Sequence, residues 1–221
     1  MTLEALLFDL DGTLVGTHEN HFRATVDALA GFGQTIDRQR YEDRVNGGNN
    51  DDIRRYFFPE DPDGAGRRYV ALKEEIFRRS LGILEPIAGL RAVLSTASAR
   101  GLGLAVVTNA PTENVAAMLP ALGLDGAFDE IVIGDELERG KPDPLPYRVA
   151  LEQLGVRAEA AIGFEDSPSG LRALSGAGVY AVGIASSQPA ATLIAAGADI
   201  VVDDYLDPKV LALLQSGPPA L

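Results

Sequence analysis

Leu6-Leu7-Phe8-Asp9-Leu10-Asp11-Gly12-Thr13 is an apolar run that breaks abruptly into two acids, a glycine and a threonine. A run this short, ending in turn-forming residues, reads as a strand buried on both faces with a functional exit loop. The same pattern recurs at Leu104-Ala105-Val106-Val107, Ile131-Val132-Ile133, Ala161-Ile162-Gly163-Phe164, Ala181-Val182-Gly183-Ile184 and Ile200-Val201-Val202. Helical patterning lies between these runs, over 88–100, 113–122, 144–154, 169–176, 189–196 and 208–215. Pro144, Pro168 and Pro208 sit near helix starts, where proline is tolerated. Alternating units of this kind predict an α/β fold, a doubly wound parallel sheet with helices on both faces.

One region departs from the alternation. Residues 16–85 carry no strand signal but show helical patterning at 19–32 and 67–81, with a polar stretch from Asn46 to Asp52 between them. The reading is a helical cap domain over 16–85, inserted into a core formed by 1–15 and 86–221. The tail Ser216-Gly217-Pro218-Pro219 is expected to fray.

Composition narrows the function. The 221 residues hold 32 acids and 19 bases, a net charge of −13. That surplus disfavours nucleic acid and anionic membranes as partners, since both select for Lys and Arg. At 46% hydrophobic and 23% charged, the chain can bury a core. It has no cysteine, which excludes disulfides, thiolate zinc sites and thiol catalysis, and only two histidines, His18 and His21. The first residues lack a basic flank and a long apolar stretch, so no leader peptide is expected and the expected setting is cytoplasmic.

Four motifs carry chemistry. Asp9 and Asp11 leave the first strand, where open α/β sheets bind ligands. Close carboxylates repel, and a divalent cation relieves the repulsion. Thr108 and Asn109 end the second strand and could hydrogen-bond an anion near a helix N-terminus. Gly140-Lys141-Pro142-Asp143-Pro144 offers Lys141 from a proline-fixed loop. Glu165 and Asp166 end the fourth run, ahead of Ser167-Pro168-Ser169-Gly170. Each has an ordinary counterpart, namely turn acids, strand-ending polar residues, a solvated lysine or a helix-capping acid. Together they bring four carboxylates to one sheet edge, an all-oxygen set suited to Mg²⁺. Two other matches fail on context. Pro142 stands where a P-loop needs Ser or Thr, and Gly176-x-Gly178 precedes a strand instead of following one.

In this order the motifs resemble the signature of the haloacid dehalogenase superfamily, and the insertion resembles its type 1 cap. The pattern is most similar to the β-phosphoglucomutase-like phosphatases and mutases. The resemblance implies a Rossmann-like core and a phosphomonoesterase on a small phosphorylated metabolite such as a sugar phosphate. It implies Asp9 as nucleophile, Asp11 as acid and base, Lys141 as charge neutraliser, and Thr108 and Asn109 as phosphoryl ligands. Mg²⁺ would be held by Asp9, the backbone carbonyl of Asp11, Asp166, and Glu165 directly or through water. Asp11 also argues against carbon–halogen cleavage, since the dehalogenases of the superfamily lack this acid.

The cap departs from the mutases of the group. Asn46 and Asn50 stand at their lysine and arginine positions, and Ala110-Pro111 supplies no cation where they have a lysine. A bisphosphate intermediate would lack its second anchor, so hydrolysis is favoured over isomerisation, with a phosphosugar mutase as the alternative. His21 aligns with a cap histidine of that group and is a candidate substrate contact, as are Asn46 and Asn50. A non-catalytic phosphate- or metal-binding module is the alternative of another class, and every catalytic position being filled argues against it. A monomer or weak homodimer is expected.

Overall fold

The computed structural model describes residues 2–219. The outermost bounds of the expected core, 1 and 221, lie outside the described residues. The chain divides into two compact units, one of residues 1–16 and 85–221 and one of residues 17–84.

The larger unit, the core, is built on six parallel strands, β1 (Ala5–Phe8), β2 (Gly103–Thr108), β3 (Glu130–Ile133), β4 (Ala161–Glu165), β5 (Tyr180–Ile184) and β6 (Ile200–Val202). Their order is β3-β2-β1-β4-β5-β6. This is the doubly wound parallel sheet the alternation predicts. Strand order reverses beside β1, so the crevice at the carboxyl ends of β1 and β4 is the switch point where such sheets take ligands. Register places the motifs there. Phe8 is level with Val106 of β2 and Phe164 of β4, so Asp9, Val107 and Glu165 emerge together.

Every residue of β1, β4 and β5 is buried. Expected burial on both faces fails at the margins. β3 and β6 are edge strands, leaving Ile131 45% exposed and Ile200 and Val201 half-buried. Six core helices accompany the strands: α5 (Leu90–Ala99), α6 (Thr112–Ala121), α7 (Leu145–Leu154), α8 (Pro168–Ala177), α9 (Ala190–Ala195) and α10 (Pro208–Ser216). The expected frayed tail is corrected: Ser216 ends α10, and Gly217 and Pro218 are buried.

The smaller unit, the cap, holds α1 (His18–Ala30), α2 (Arg38–Arg44), α3 (Asn50–Phe57) and α4 (Arg67–Ser80), with one wide turn at Pro62–Gly66. Its core is aromatic and aliphatic, including Leu29, Tyr41, Ile53, Phe57, Phe58 and Tyr69. The sequence showed α1 and α4 but not α2 and α3. Both are under three turns long and lie among charged residues. Side-chain caps start them: Asp37 accepts from Arg40 N at 2.8 Å, and Asn49 from Asp52 N at 2.8 Å. Part of the polar stretch from Asn46 to Asp52 is therefore the first turn of α3.

Candidate active site

Lys141 is the hub of the core's buried charge. It is 4% exposed, and its ammonium donates to Asp9 Oδ1 at 2.7 Å, Glu165 Oε1 at 2.6 Å and Val107 O at 2.6 Å. Those three bonds use all three of its protons. Asn109 fixes the backbone that carries it. Asn109 Nδ2 donates to Lys141 O at 3.0 Å, and Lys141 N donates to Asn109 Oδ1 at 3.0 Å. Each end of the Asn109 amide thus holds the loop by one bond, which leaves one Nδ2 proton for another acceptor. The neighbouring Thr108 is buried, and its Oγ1 accepts from Ala110 N at 3.0 Å, which leaves the hydroxyl proton for another acceptor.

Glu165 is fully buried and saturated. Oε1 also accepts from Tyr147 Oη at 3.0 Å, while Oε2 accepts from Asp166 N and Ser167 N at 3.1 Å and Ser167 Oγ at 3.0 Å. Ser167 simultaneously caps α8 by accepting from Gly170 N at 3.1 Å. Gly170 is required by close approach, because a Cβ there would lie 1.6 Å from Glu165 Oε1. Gly12 has the same role for Asp166. It adopts φ +79°, and a Cβ would lie 2.0 Å from Asp166 Oδ2.

Asp9, Glu165 and Asp166 each place one carboxylate oxygen within 4.8 Å of the others. Asp11 lies outside this trio, and its side chain is only half-buried. Burial pushes the Asp9 carboxyl up to about 7, with Lys141 pulling it down and Glu165 and Asp11 pushing it up. Burial, then Asp9 and Glu165, hold Asp166 well above the ordinary carboxylate range. Burial alone would lower Lys141, but Asp9 and Glu165 outweigh it and raise it. One ammonium thus serves two of the three buried carboxylates, and Asp166 has none. An all-oxygen, over-negative, water-poor donor set of this kind fits a hard divalent cation.

The cap candidates lie in the other unit, in a network of their own. Asn46 Nδ2 donates to Glu42 Oε2 at 3.0 Å, and His21 stacks on Phe77 with ring centroids 3.9 Å apart. Asn50 Nδ2 donates to Glu74 Oε1 at 3.0 Å and Oδ1 accepts from Lys73 Nζ at 3.1 Å. Lys73 and Glu74 are both buried and pair at 2.7 Å. A cation therefore does stand beside Asn50, but Glu74 neutralises it.

Several site residues went unread in the sequence. Tyr147 braces Glu165. Tyr205 Oη donates to Thr13 O at 3.1 Å under the Asp9–Thr13 loop, and its ring packs on Phe8 and Phe164. Ser186 and Ser187 bond to Gly12 and Asp166. Tyr147 follows the Lys141 loop, and the serines follow a strand's carboxyl end. Position is the one signal that could have found them.

Residues 6–184 match the model of the haloacid dehalogenase-like hydrolases. Protein CbbY of Cereibacter sphaeroides is 34% identical over 197 residues, covering 81% of this chain and 83% of that protein. Phosphoglycolate phosphatase of Rhodospirillum rubrum is 34% identical over 217 residues, covering 91% and 88%. A crystal structure of a variant of CbbY from Rhodobacter sphaeroides with xylulose-1,5-bisphosphate superposes with a TM-score of 0.82 at 31% identity, covering 93% of this chain and 96% of that one. Among the described residues, no helix is long and apolar enough to cross a membrane.

Proposed function

The chain belongs to the haloacid dehalogenase-like hydrolase family, and on that premise we propose a magnesium-dependent phosphatase that releases phosphate from a small phosphorylated metabolite through an aspartyl-phosphate on Asp9. It is a phosphoric monoester hydrolase, as its phosphatase relatives are. The observation that carries the finer reading is the Lys141 hub, where one fixed cation holds Asp9 inside a surplus of buried carboxylates.

In this reading an Asp9 carboxylate oxygen attacks phosphorus, and the bond from phosphorus to the ester oxygen breaks. Asp11, half-buried beside the crevice, gives its proton to the departing alkoxide. Asp11 then takes a proton from water as that water attacks the phosphoryl group, freeing phosphate and restoring Asp9. Lys141 lowers the negative charge on Asp9 and the transferring group, and Thr108 offers a hydroxyl proton to a phosphoryl oxygen. Asn109 holds the Lys141 loop and keeps one amide proton for a phosphoryl oxygen. Asp9, Asp166 and the Asp11 carbonyl would hold Mg²⁺, with Glu165 behind them. Bound there, the ion supplies positive charge to the phosphoryl oxygens.

The substrate class proposed is a sugar phosphate or a similarly small phosphate ester. The support is the bisphosphate found with CbbY and the name of the phosphoglycolate phosphatase. His21, Asn46 and Asn50 are the proposed substrate-reading residues of the cap, and the setting proposed is the cytoplasm. The test is phosphate release with Mg²⁺ across a panel of phosphorylated metabolites, including xylulose-1,5-bisphosphate and phosphoglycolate. Release abolished by EDTA is expected, and no release from any ester would overturn the reading. A sugar 1-phosphate with catalytic bisphosphate separates the mutase alternative, which would yield the isomer without free phosphate.

A further inference from the structure

Two adjacent serines on the loop after β5 reach two different acid-bearing loops. Ser187 Oγ donates to Asp166 Oδ2 at 2.5 Å, and its contact with Asp166 O, at 3.4 Å, is the weaker one. Ser186 Oγ donates to Gly12 O at 2.5 Å. β5 borders β4 but not β1, so the bond from Ser186 spans the exit of β4 to reach the loop of β1. Gly12 and Asp166 already lie against each other, since a Cβ on Gly12 would sit 2.0 Å from Asp166 Oδ2. Gly12, Asp166, Ser187 and Ser186 therefore close a ring that links three loops at one sheet edge.

The two oxygens of Asp166 are unequal in this ring. Oδ2 accepts from Ser187, whereas among the described residues no donor reaches Oδ1. A buried carboxylate free to turn about its last torsion would present either oxygen. One fixed donor on Oδ2 selects a single orientation and commits Oδ1 elsewhere.

We propose that Ser187 is a positioning residue for the metal centre: by holding Asp166 Oδ2 it orients the carboxylate toward the cation, while Ser186 locks the Asp9–Thr13 loop in register with it. The inference rests on the reading of Asp9 and Asp166 as cation ligands.

The experiment measures Mg²⁺ binding by calorimetry, without substrate, in the full chain and its Ser187→Ala, Ser187→Thr and Ser187→Val variants. Ser187→Ala should weaken Mg²⁺ about 10-fold or more. Thr keeps the hydroxyl and Val copies its shape, so Ser187→Thr should bind nearly as wild type and Ser187→Val should match Ser187→Ala. In turnover, Ser187→Ala should need more Mg²⁺ for half-maximal rate, with the substrate KM at saturating Mg²⁺ unchanged. Ser186→Ala should shift Mg²⁺ in the same direction by a smaller factor. Wild-type affinity in folded Ser187→Ala, or equal affinities in the Thr and Val variants, overturns the proposal while leaving the phosphatase reading intact. No Mg²⁺ binding by wild type overturns both.

Discussion

The core and the cap bury charge in opposite ways. In the cap, buried charge is matched locally. Lys73 meets Glu74 at 2.7 Å, and Arg54 meets Asp51 and Asp63, each at 2.8 Å. In the core, Lys141 is shared by Asp9 and Glu165, while Asp166 has a serine hydroxyl and no cation. The whole units repeat the contrast. Residues 17–84 hold 12 acids and 11 bases, whereas the rest of the chain holds 20 acids and 8 bases. Matched buried charge is architecture, since each pair is complete as it stands. Unmatched buried carboxylates raise the free energy of the protein alone, and under the proposed function a bound cation with a phosphate ester would complete them.

Breaking each side of that contrast should have different signatures. Asp9→Asn should have the largest effect, a fall in phosphatase rate of more than ~10³-fold. The same substitution relieves carboxylate repulsion, so the melting midpoint of the metal-free protein should hold or rise. A midpoint that collapses along with the rate would mean that Asp9 is structural. Lys141→Met should lower the rate by about 10²–10³-fold and also destabilise the fold, because two buried carboxylates lose their cation. Denaturant melts and initial rates on one preparation check both halves.

On the cap side, Lys73→Met removes the ammonium 2.7 Å from buried Glu74 and should cost about 3 kcal/mol of stability. Adding Glu74→Gln should recover most of that loss in denaturant melts, as expected for a matched pair.

A smaller effect separates the units by pH. Asp9 holds its proton up to about 7, against an ordinary value of 3.8. Between those values the folded metal-free protein binds a proton that the unfolded chain has lost. Its stability from this group therefore falls as pH rises through that window and stays low above it. Mg²⁺ competes with that proton, so it should raise the melting midpoint more at about pH 8 than at about pH 5. An equal rise at both values would place the cation away from Asp9.

The core was largely legible because strand burial and the loops after strands write themselves into local sequence. Asp9, Asp11, Lys141, Glu165 and Asp166 could be named because each follows an apolar run or lies in a proline-fixed loop. Their neighbours Tyr147, Ser186, Ser187 and Tyr205 could not. They join the site through hydrogen bonds set by strand order, and Ser187 lies 21 positions from Asp166. The Asn109 clamp on Lys141 was not legible, because it spans 32 positions. In the cap, α2 and α3 escaped notice because short charged helices are held by their caps and tertiary packing more than by periodicity. Lys73 was hidden for a related reason: a lysine on a charged helix gives no local sign that it is buried.

The most direct test is to quench the protein with acid during turnover of a radiolabelled phosphomonoester with Mg²⁺, then follow the label. Wild type should carry an acid-stable, hydroxylamine-labile phosphoryl group on the peptide containing Asp9, and Asp9→Asn should carry none. Turnover in which the label passes to free phosphate without ever residing on Asp9, or equal labelling of Asp9→Asn, would contradict the account.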